Sequence, residues 1–483
     1  MGRSQGHASD LLVPANFIRA IRESGYVSLS TALAELIDNS LQASAAVIDI
    51  TIGRSDPDAL PRICVEDDGT GMTEEELAAC LRFGGSSRFD SRSSFGRFGM
   101  GLPAASLSQA RQVEVTAWQA GTVARAVHLD VDSVARGEGE SLALHDGARG
   151  AAPSGCRVVW TECDRIEYRR LAWLDRSLHR DLGRMFRKFL DRGLTLRING
   201  HTVEPLDPML LSTKLNGHSA DLAFEPIRYE IATAAGETSF VSVTFAMLPV
   251  TRWHHLDNAA KRKVGIVGHG GVSILRAGRE IASGWYLMGG KRKENYDDWW
   301  RCEIEFEPAL DEHFGITVNK QGVRPTAALR EALEPELESI ARVLNARVRQ
   351  AFEEVKFEAT VQGACRIAGA ADADLPVIRT SGRTTGALRY HLGADQLSGE
   401  SMFDLTLKQR HLNVTMNIDH PGFTALYRPL QELGDSGAPV RTALELLLLS
   451  FARSVAAVGA SEQDYRDLLR VWGATYGRML QKS

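Results

Sequence analysis

Glu35 and Asn39 in the run Ala34-Glu35-Leu36-Ile37-Asp38-Asn39-Ser40-Leu41 are the first residues whose types and spacing could do chemistry. On a helix, residues four apart share a face. The Asn39 amide oxygen suits Mg²⁺, and the Glu35 carboxylate can take a proton from an attacking water. The same spacing also makes an ordinary solvated face. In Val65-Glu66-Asp67-Asp68-Gly69-Thr70-Gly71-Met72-Thr73, an apolar strand runs into a tight glycine turn and a helix capped by Thr73 with Glu76. Asp67 stands at the strand end, where a carboxylate can accept from an exocyclic amine such as that of adenine. An Asx turn before a helix cap is the alternative. In Phe95-Gly96-Arg97-Phe98-Gly99-Met100-Gly101-Leu102-Pro103, three glycines let the backbone approach a phosphate, and the helix that follows points its first N–H groups at it. No Lys-Ser/Thr follows, so this is not a Walker A loop. Gly84 to Phe95, with Ser86, Ser87 and Arg88, has the composition of a mobile lid. Lys320, in Thr317-Val318-Asn319-Lys320-Gln321-Gly322, lies between two amides in a loop far downstream. The first lysine of the chain is Lys188, so a phosphate site in the first third needs its cation delivered from elsewhere.

The elements that must position these residues belong to a chain of 483 residues, enough for about three domains. Hydrophobic residues are 44% and charged residues 24%, the balance of a globular protein. No apolar run approaches the roughly 20 residues of a membrane span, and the N-terminal stretch has no apolar signal-peptide core. Six scattered cysteines with no CxxC pair argue against a zinc site or disulfide framework, and the expected location is the cytoplasm.

The patterning predicts an α/β region over 1–164, with helices near 15–24, 31–43 and 74–82 and strands near 46–53, 61–67, 112–119, 124–130 and 156–162. A lid is expected at about 82–98. A long helix is predicted over 168–192. The second region, 165–356, is predicted to hold strands at 194–198, 225–233, 239–247, 264–267, 272–276 and 301–306, the loop 317–322, and a helix from 326 to about 356. The C-terminal domain, 357–483, has a strand pattern at 403–417 and helices at 437–457 and 462–480; it suits dimerisation or partner binding.

Taken in register, the motifs resemble the GHKL ATPase superfamily of gyrase B, the ninety-kilodalton heat-shock chaperone, histidine kinases and MutL. The resemblance covers about residues 15–330. It rests on Glu35 and Asn39, on Asp67, Gly69, Gly71 and Met72, and on Gly96, Gly99 and Gly101, and it is closest to the MORC and MutL-like prokaryotic branch. Arg197-Ile198-Asn199-Gly200 and Val203-Glu204-Pro205-Leu206-Asp207-Pro208 resemble the start of that branch's second domain. What the resemblance implies is an α/β fold, an α+β two-layer sandwich of the GHKL type, followed by a transducer-like α/β domain and a smaller C-terminal α+β domain. It also implies ATP and Mg²⁺ as ligands. Glu35 and Lys320 would be catalytic and Asn39 the Mg²⁺ ligand, with nucleotide contacts from Asp67, Gly69, Gly71, Met72, Ser86, Ser87, Arg88, Gly96, Arg97, Phe98, Gly99, Met100, Gly101 and Leu102. Gly155-Cys156-Arg157-Val158 departs from the family's G-T-x-V strand motif, which moves the expected contact with Asp67 to Thr161 or weakens it. Position 68 is Asp where the branch often has Asn. ATP binding would close a homodimer, with residues 1–14 available for exchange between subunits; a disordered tail is the alternative. Hydrolysis would be slow, because it waits on the conformational step.

Net charge is −5, so nucleic-acid contact needs a local patch. Arg176, Arg180, Arg184 and Lys188 are spaced by four along the 168–192 helix. The stripe reads either as a solvated face or as a track for a DNA backbone. Lys261-Arg262-Lys263 and Lys291-Arg292-Lys293 add two further clusters. The expectation is an ATP-gated clamp on DNA without base specificity, in a bacterial restriction or antiphage defence setting by analogy with the MORC-like branch. The rival is a chaperone-like ATPase acting on protein clients or gating a partner effector. Trp299-Trp300 reads as core, and Asn417 to Phe423, with His420, as a structural turn.

Overall fold

The computed structural model describes residues 14–26, 28–56, 58–83, 100–136, 143–166, 170–233, 236–316, 322–380, 383–384, 388–408, 410–458 and 462–480. Helices α1 (Pro14–Ser24) and α2 (Leu29–Gln42) precede strands β1 (Val47–Gly53) and β2 (Arg62–Asp67). Then come α3 (Glu74–Ala79), α4 (Gly101–Gln109), β3 (Gln112–Trp118), β4 (Arg125–Asp130), α5 (Val131–Ala135), β5 (His145–Asp146) and β6 (Gly155–Thr161). Helices α6 (Leu171–Met185) and α7 (Arg187–Asp191) lead into β7 (Thr195–Ile198) and β8 (His201–Thr202). These eight strands form one sheet in the order β5-β4-β3-β6-β2-β1-β7-β8. Every neighbour is antiparallel except β1 and β7. Helix and sheet side chains share one core, in which Leu33, Leu36 and Ile37 of α2 meet Ile48 and Ile50 of β1 and Val113 and Val115 of β3.

Two expectations change here. The first sheet does not end at residue 164. Thr195–Ile198 pairs with β1, Val47 opposite Thr195, because Leu196 and Ile198 alternate into the same core. The 168–192 helix is two helices that break at Phe186, and Leu174, Leu178, Leu182 and Phe186 bury their stripe in that core.

The second region continues with β9 (Asp221–Leu222), β10 (Ile227–Ala232), β11 (Thr238–Met247), α8 (Val250–Trp253), α9 (Asn258–Val264), β12 (Gly271–Arg276), β13 (Arg279–Gly284), β14 (Trp300–Phe306) and α10 (Asp311–Phe314). Its sheet runs β10-β11-β14-β12-β13, with β9 on β11. Residues 264–267 do not form the expected strand. Asp257 caps α9, whose last turn reaches Val264, and Gly265 at φ 87° ends it. Strand β13 was not expected, since it opens on Arg279 and Glu280. It forms because Ala277 and Gly278, at φ 49° and 86°, make a two-residue turn that folds it back on β12. Trp299 and Trp300 are buried, as expected of core.

Helix α11 (Ala327–Ala371) follows, then the hairpin β15 (Arg379–Thr380) and β16 (Arg383–Thr384), strands β17 (Arg389–Asp395), β18 (Phe403–Lys408) and β19 (His411–Asn417), and helices α12 (Arg428–Glu432), α13 (Ala438–Val458) and α14 (Glu462–Leu480). The chain divides into two compact units. One holds the residues up to Pro249 together with Leu256–Asn345; the other holds Val250–His255 and the chain from Ala346. The first two sequence regions therefore share a unit. The second unit has its own core around Phe357, Phe403, Leu412, Val414 and Tyr427. In it, His420 accepts the Gly422 N–H on Nδ1 and donates from Nε2 to the Gly473 carbonyl, so the 417–423 segment is a structural corner. The architecture is mixed α/β throughout. No helix among the described residues is long and apolar enough to cross a membrane.

Candidate active site

Helix α2 positions the first pair. Ser28 caps it by accepting the Thr31 N–H, which fixes where the helix begins and hence which residues face the sheet. Glu35 is buried and Asn39 half-buried on the next turn. The Glu35 carboxylate lies against the first residue of α4. A Cβ built on Gly101 would sit 2.0 Å from Glu35 Oε1. A side chain at position 101 would therefore have to displace the Glu35 carboxylate. Glu35 is thereby brought to the end of the glycine loop, although the two are 66 residues apart in sequence (101 minus 35). Met100, at the N-cap of α4, offers no side-chain cap, so its first N–H groups are left to other acceptors.

Strand β2 ends on Asp67, which is buried. Its Oδ2 accepts from the Ser40 hydroxyl at 2.7 Å, and its Oδ1 accepts the Gly69 N–H at 3.0 Å and the Cys156 N–H at 3.3 Å. Burial pushes the Asp67 carboxyl above its ordinary 3.8, and these three donors oppose that rise. The turn that follows is tightly seated. A Cβ on Gly69 would lie 2.8 Å from the Ala43 Cβ, and one on Gly71, at φ 71°, would lie 2.2 Å from the Trp118 carbonyl oxygen. Met72 is half-buried beside them, and the Thr73–Glu76 capping box forms as expected. Asp68 turns the other way and accepts the Ala46 and Val47 N–H groups at the start of β1.

Thr161 takes no part in this cluster. In the sheet register, Asp67 stands opposite Cys156, whereas Thr161 stands opposite Gln112 and donates to its Oε1 at 3.2 Å. The contact expected from a threonine side chain at 156 is made instead by the backbone N–H of Cys156. Ser40 was missed in the sequence. Its signal was position, one residue beyond Asn39 on the helix that runs to the Ala43 turn. Met100, Gly101 and Leu102 are described at the start of α4. Ser86, Ser87, Arg88, Gly96, Arg97, Phe98, Gly99 and Lys320 lie outside the described residues, as do residues 1–13.

The basic stripe is not one solvated face. Arg184 bonds to Glu280 at 2.6 Å and to the Ser273 hydroxyl, and Lys188 bridges Glu303 and Glu305 on β14. Lys291 is buried on Asp297 at 2.7 Å. Arg184 and Lys188 hold the second sheet to α6 and α7, and Lys291 fixes the connection between β13 and β14. Arg176 and Arg180 remain exposed, as do Arg262, Lys263, Arg292 and Lys293. Lys261 places its ammonium 5.7 Å over the Trp299 ring. Lys293 donates to the Gly270 carbonyl, next to His269. Burial holds His269 below its ordinary 6.5, with Arg184, Arg301 and Arg180 adding to the shift. Cations of α6 and of the Lys293 segment thus meet around the 269–270 loop.

Residues 27–148 match the family described as histidine kinase-, DNA gyrase B- and HSP90-like ATPase. The match spans Glu35, Asn39, Asp67 and the glycine loop, and it supports the GHKL superfamily for this segment. No curated protein matches the chain.

Proposed function

We propose that the protein is a slow Mg²⁺-dependent ATPase that works as a conformational switch, dimerises and closes on ATP, and acts on DNA in the manner of the MORC and MutL-like branch. The observation that carries the ATPase reading is the meeting of Glu35 with Gly101, a buried carboxylate held at the last glycine of a glycine-rich stretch. Asp67 would accept from the adenine amine while Ser40, Gly69 and Cys156 keep its carboxylate oriented. Gly69, Gly71 and Met72 would line the base pocket. The glycine loop and the first N–H groups of α4 would receive the phosphates. Asn39 is half-buried, and its amide oxygen is a hard donor that would hold Mg²⁺, whose charge would offset that of the phosphates. Glu35 would take the proton of the attacking water, and Lys320 would balance charge growing on the terminal phosphate.

DNA is favoured as the client by the exposed cations Arg176, Arg180, Arg262, Lys263, Arg292 and Lys293, of which Arg180 and Lys293 lie near the 269–270 loop. Contacts of this kind reach phosphates and carry no sequence information. The second reading is a protein client or partner effector. It is favoured by Val440, Leu447 and Val458 on α13 and Leu468, Val471 and Met479 on α14, which are large apolar side chains left exposed.

Steady-state ATP hydrolysis with and without duplex DNA, at low and moderate salt, tests both readings, with Glu35→Ala as the blank. A Glu35-dependent rate that rises with DNA, and loses that rise with salt, is expected. A Glu35-dependent rate indifferent to DNA moves the client to protein. No Glu35-dependent rate overturns the ATPase.

A further inference from the structure

The turn between β12 and β13 carries an arginine on each side, and each is committed to a different element. Arg276 and Arg279 are cross-strand partners flanking Ala277 and Gly278. Both are buried, at 3% exposure each. Arg279 bonds to Asp38 on α2 at 2.6 Å, and Asp38 is wholly buried. Arg276 makes a two-pronged pair with Asp311, Nε to Oδ1 at 2.6 Å and Nη2 to Oδ2 at 2.7 Å. Asp311 opens α10, and the chain on each side of residues 317–321 is bonded back to α10: on the near side the Ile316 N–H donates to the Asp311 carbonyl at 3.0 Å. The Arg324 N–H donates to the Phe314 carbonyl at 2.9 Å, and the Thr326 N–H donates to the His313 carbonyl at 2.8 Å.

We infer that this hairpin tip is a coupling strut, in which Arg279 through Asp38 positions the helix bearing Glu35 and Asn39, while Arg276 through Asp311 positions α10. The inference rests on the ATPase reading. Asp38 sits three residues after Glu35 and one before Asn39, so a shift at Asp38 is felt by both. The tip has little slack. Its two central residues are both at positive φ, the Ala277 N–H is bonded to the Phe306 carbonyl at 2.9 Å, and the Arg279 guanidinium lies 5.7 Å from the Phe186 ring. The next residue, Glu280, holds Arg184 and Arg187 of α6 and α7. Helix α2 is also tied to α6 at its other end, where the Ser30 hydroxyl donates to Asp181 at 2.8 Å. Buried ion pairs of this kind hold one geometry or break; they do not slide. A movement of the hairpin must therefore carry α2 with it. Asp38 and Arg279 are positioning residues, since neither is placed against the nucleotide.

The test is a mutant cycle in the full-length chain: Asp38→Asn, Arg279→Met, the double variant, Arg279→Lys and Arg276→Met. Each is assayed for kcat and, separately, for affinity toward a non-hydrolysable ATP analogue by calorimetry, with thermal unfolding alongside. Asp38→Asn and Arg279→Met should each lower kcat by about tenfold or more while analogue affinity stays within about twofold. The double variant should be no slower than the worse single, because both remove one link. Arg279→Lys should restore most of the rate, and Arg276→Met should lower kcat with affinity retained. Unchanged kcat in the single variants overturns the inference, as does a parallel fall of kcat, affinity and melting temperature that Arg279→Lys does not rescue. If Arg279→Met does not fold, Asp38→Asn against Arg279→Lys decides in the same way. A wild-type chain with no Glu35-dependent hydrolysis overturns the ATPase reading itself, and that result is distinct from a working enzyme indifferent to Arg279.

Discussion

Glu35, Asp67 and the glycines around them are legible one residue at a time, because each position has a physical reason to be what it is. Gly71 is the sharpest case. Its φ of 71° and the 2.2 Å approach of a built Cβ to the Trp118 carbonyl oxygen both exclude a side chain. Gly71→Ala should destabilise the protein by about 2 kcal/mol or more, read from the urea midpoint at unchanged slope. Asp67 gives a pH prediction. Its carboxyl is raised by burial above the ordinary 3.8, and the proposed contact with adenine needs the ionised form. Nucleotide affinity should therefore be full at neutral pH and fall as the solution is acidified, beginning at a higher pH than an exposed aspartate would give. Calorimetric titrations across the acid range check this, and Asp67→Asn should flatten the profile. By contrast, the role of Ser40 was not legible. A serine on a helix has many uses, and only the sheet register brings Asp67 to it.

At the scale of elements, periodicity identified α1, α2 and six of the eight strands of the first sheet within a residue or two, whereas α3 ends three residues early and α5 and β5 were not expected. Strand β13 escaped because Arg279 and Glu280 read as surface, whereas burial is restored to them by partners distant in sequence. Arg184 and Lys188 of the 168–192 stripe are engaged by carboxylates for the same reason, while Arg176 and Arg180 stay exposed. Spacing by four is equally compatible with water and with a row of carboxylates on a facing sheet, and here Glu280, Glu303 and Glu305 take Arg184, Arg187 and Lys188. Arg187 is the centre of that network, bonded to Glu280 at 2.5 Å and Glu303 at 2.6 Å with 4% of its side chain exposed. Removing it takes one of two cationic partners from each of Glu280 and Glu303, which keep Arg184 and Lys188. Arg187→Met should cost about 1–3 kcal/mol in chemical denaturation. Lys291→Met, which orphans the buried Asp297, should likewise destabilise without altering the salt dependence of DNA binding.

For the molecule as a whole, a net charge of −5 leaves the proposed contact with DNA to a local patch. Reversing two exposed cations, Arg180→Glu with Lys293→Glu, should weaken DNA binding and flatten its logarithmic salt dependence by roughly 0.9 for each phosphate no longer neutralised. Fluorescence anisotropy with labelled duplex at several salt concentrations gives the slope, and an unaltered slope shows that those cations do not touch phosphate. The two compact units have separate cores, one around Leu33 and Ile48 together with one around Val243 and Ile304, the other around Phe403 and Val414. Calorimetry should resolve more than one unfolding transition, with an ATP analogue raising the transition of the first unit.

The anchor of Asp67 has an evolutionary side. Two of its three donors are main-chain N–H groups, those of Gly69 and Cys156, and a main-chain donor survives exchange of the side chain that accompanies it. Exchange of position 156 among small residues should therefore leave that bond in place. Gly155 beside it has no such freedom, since a Cβ would fall 2.1 Å from the Asp67 carbonyl oxygen. Sequence variation among descendants of this protein should accordingly be permissive at 156 and silent at 155.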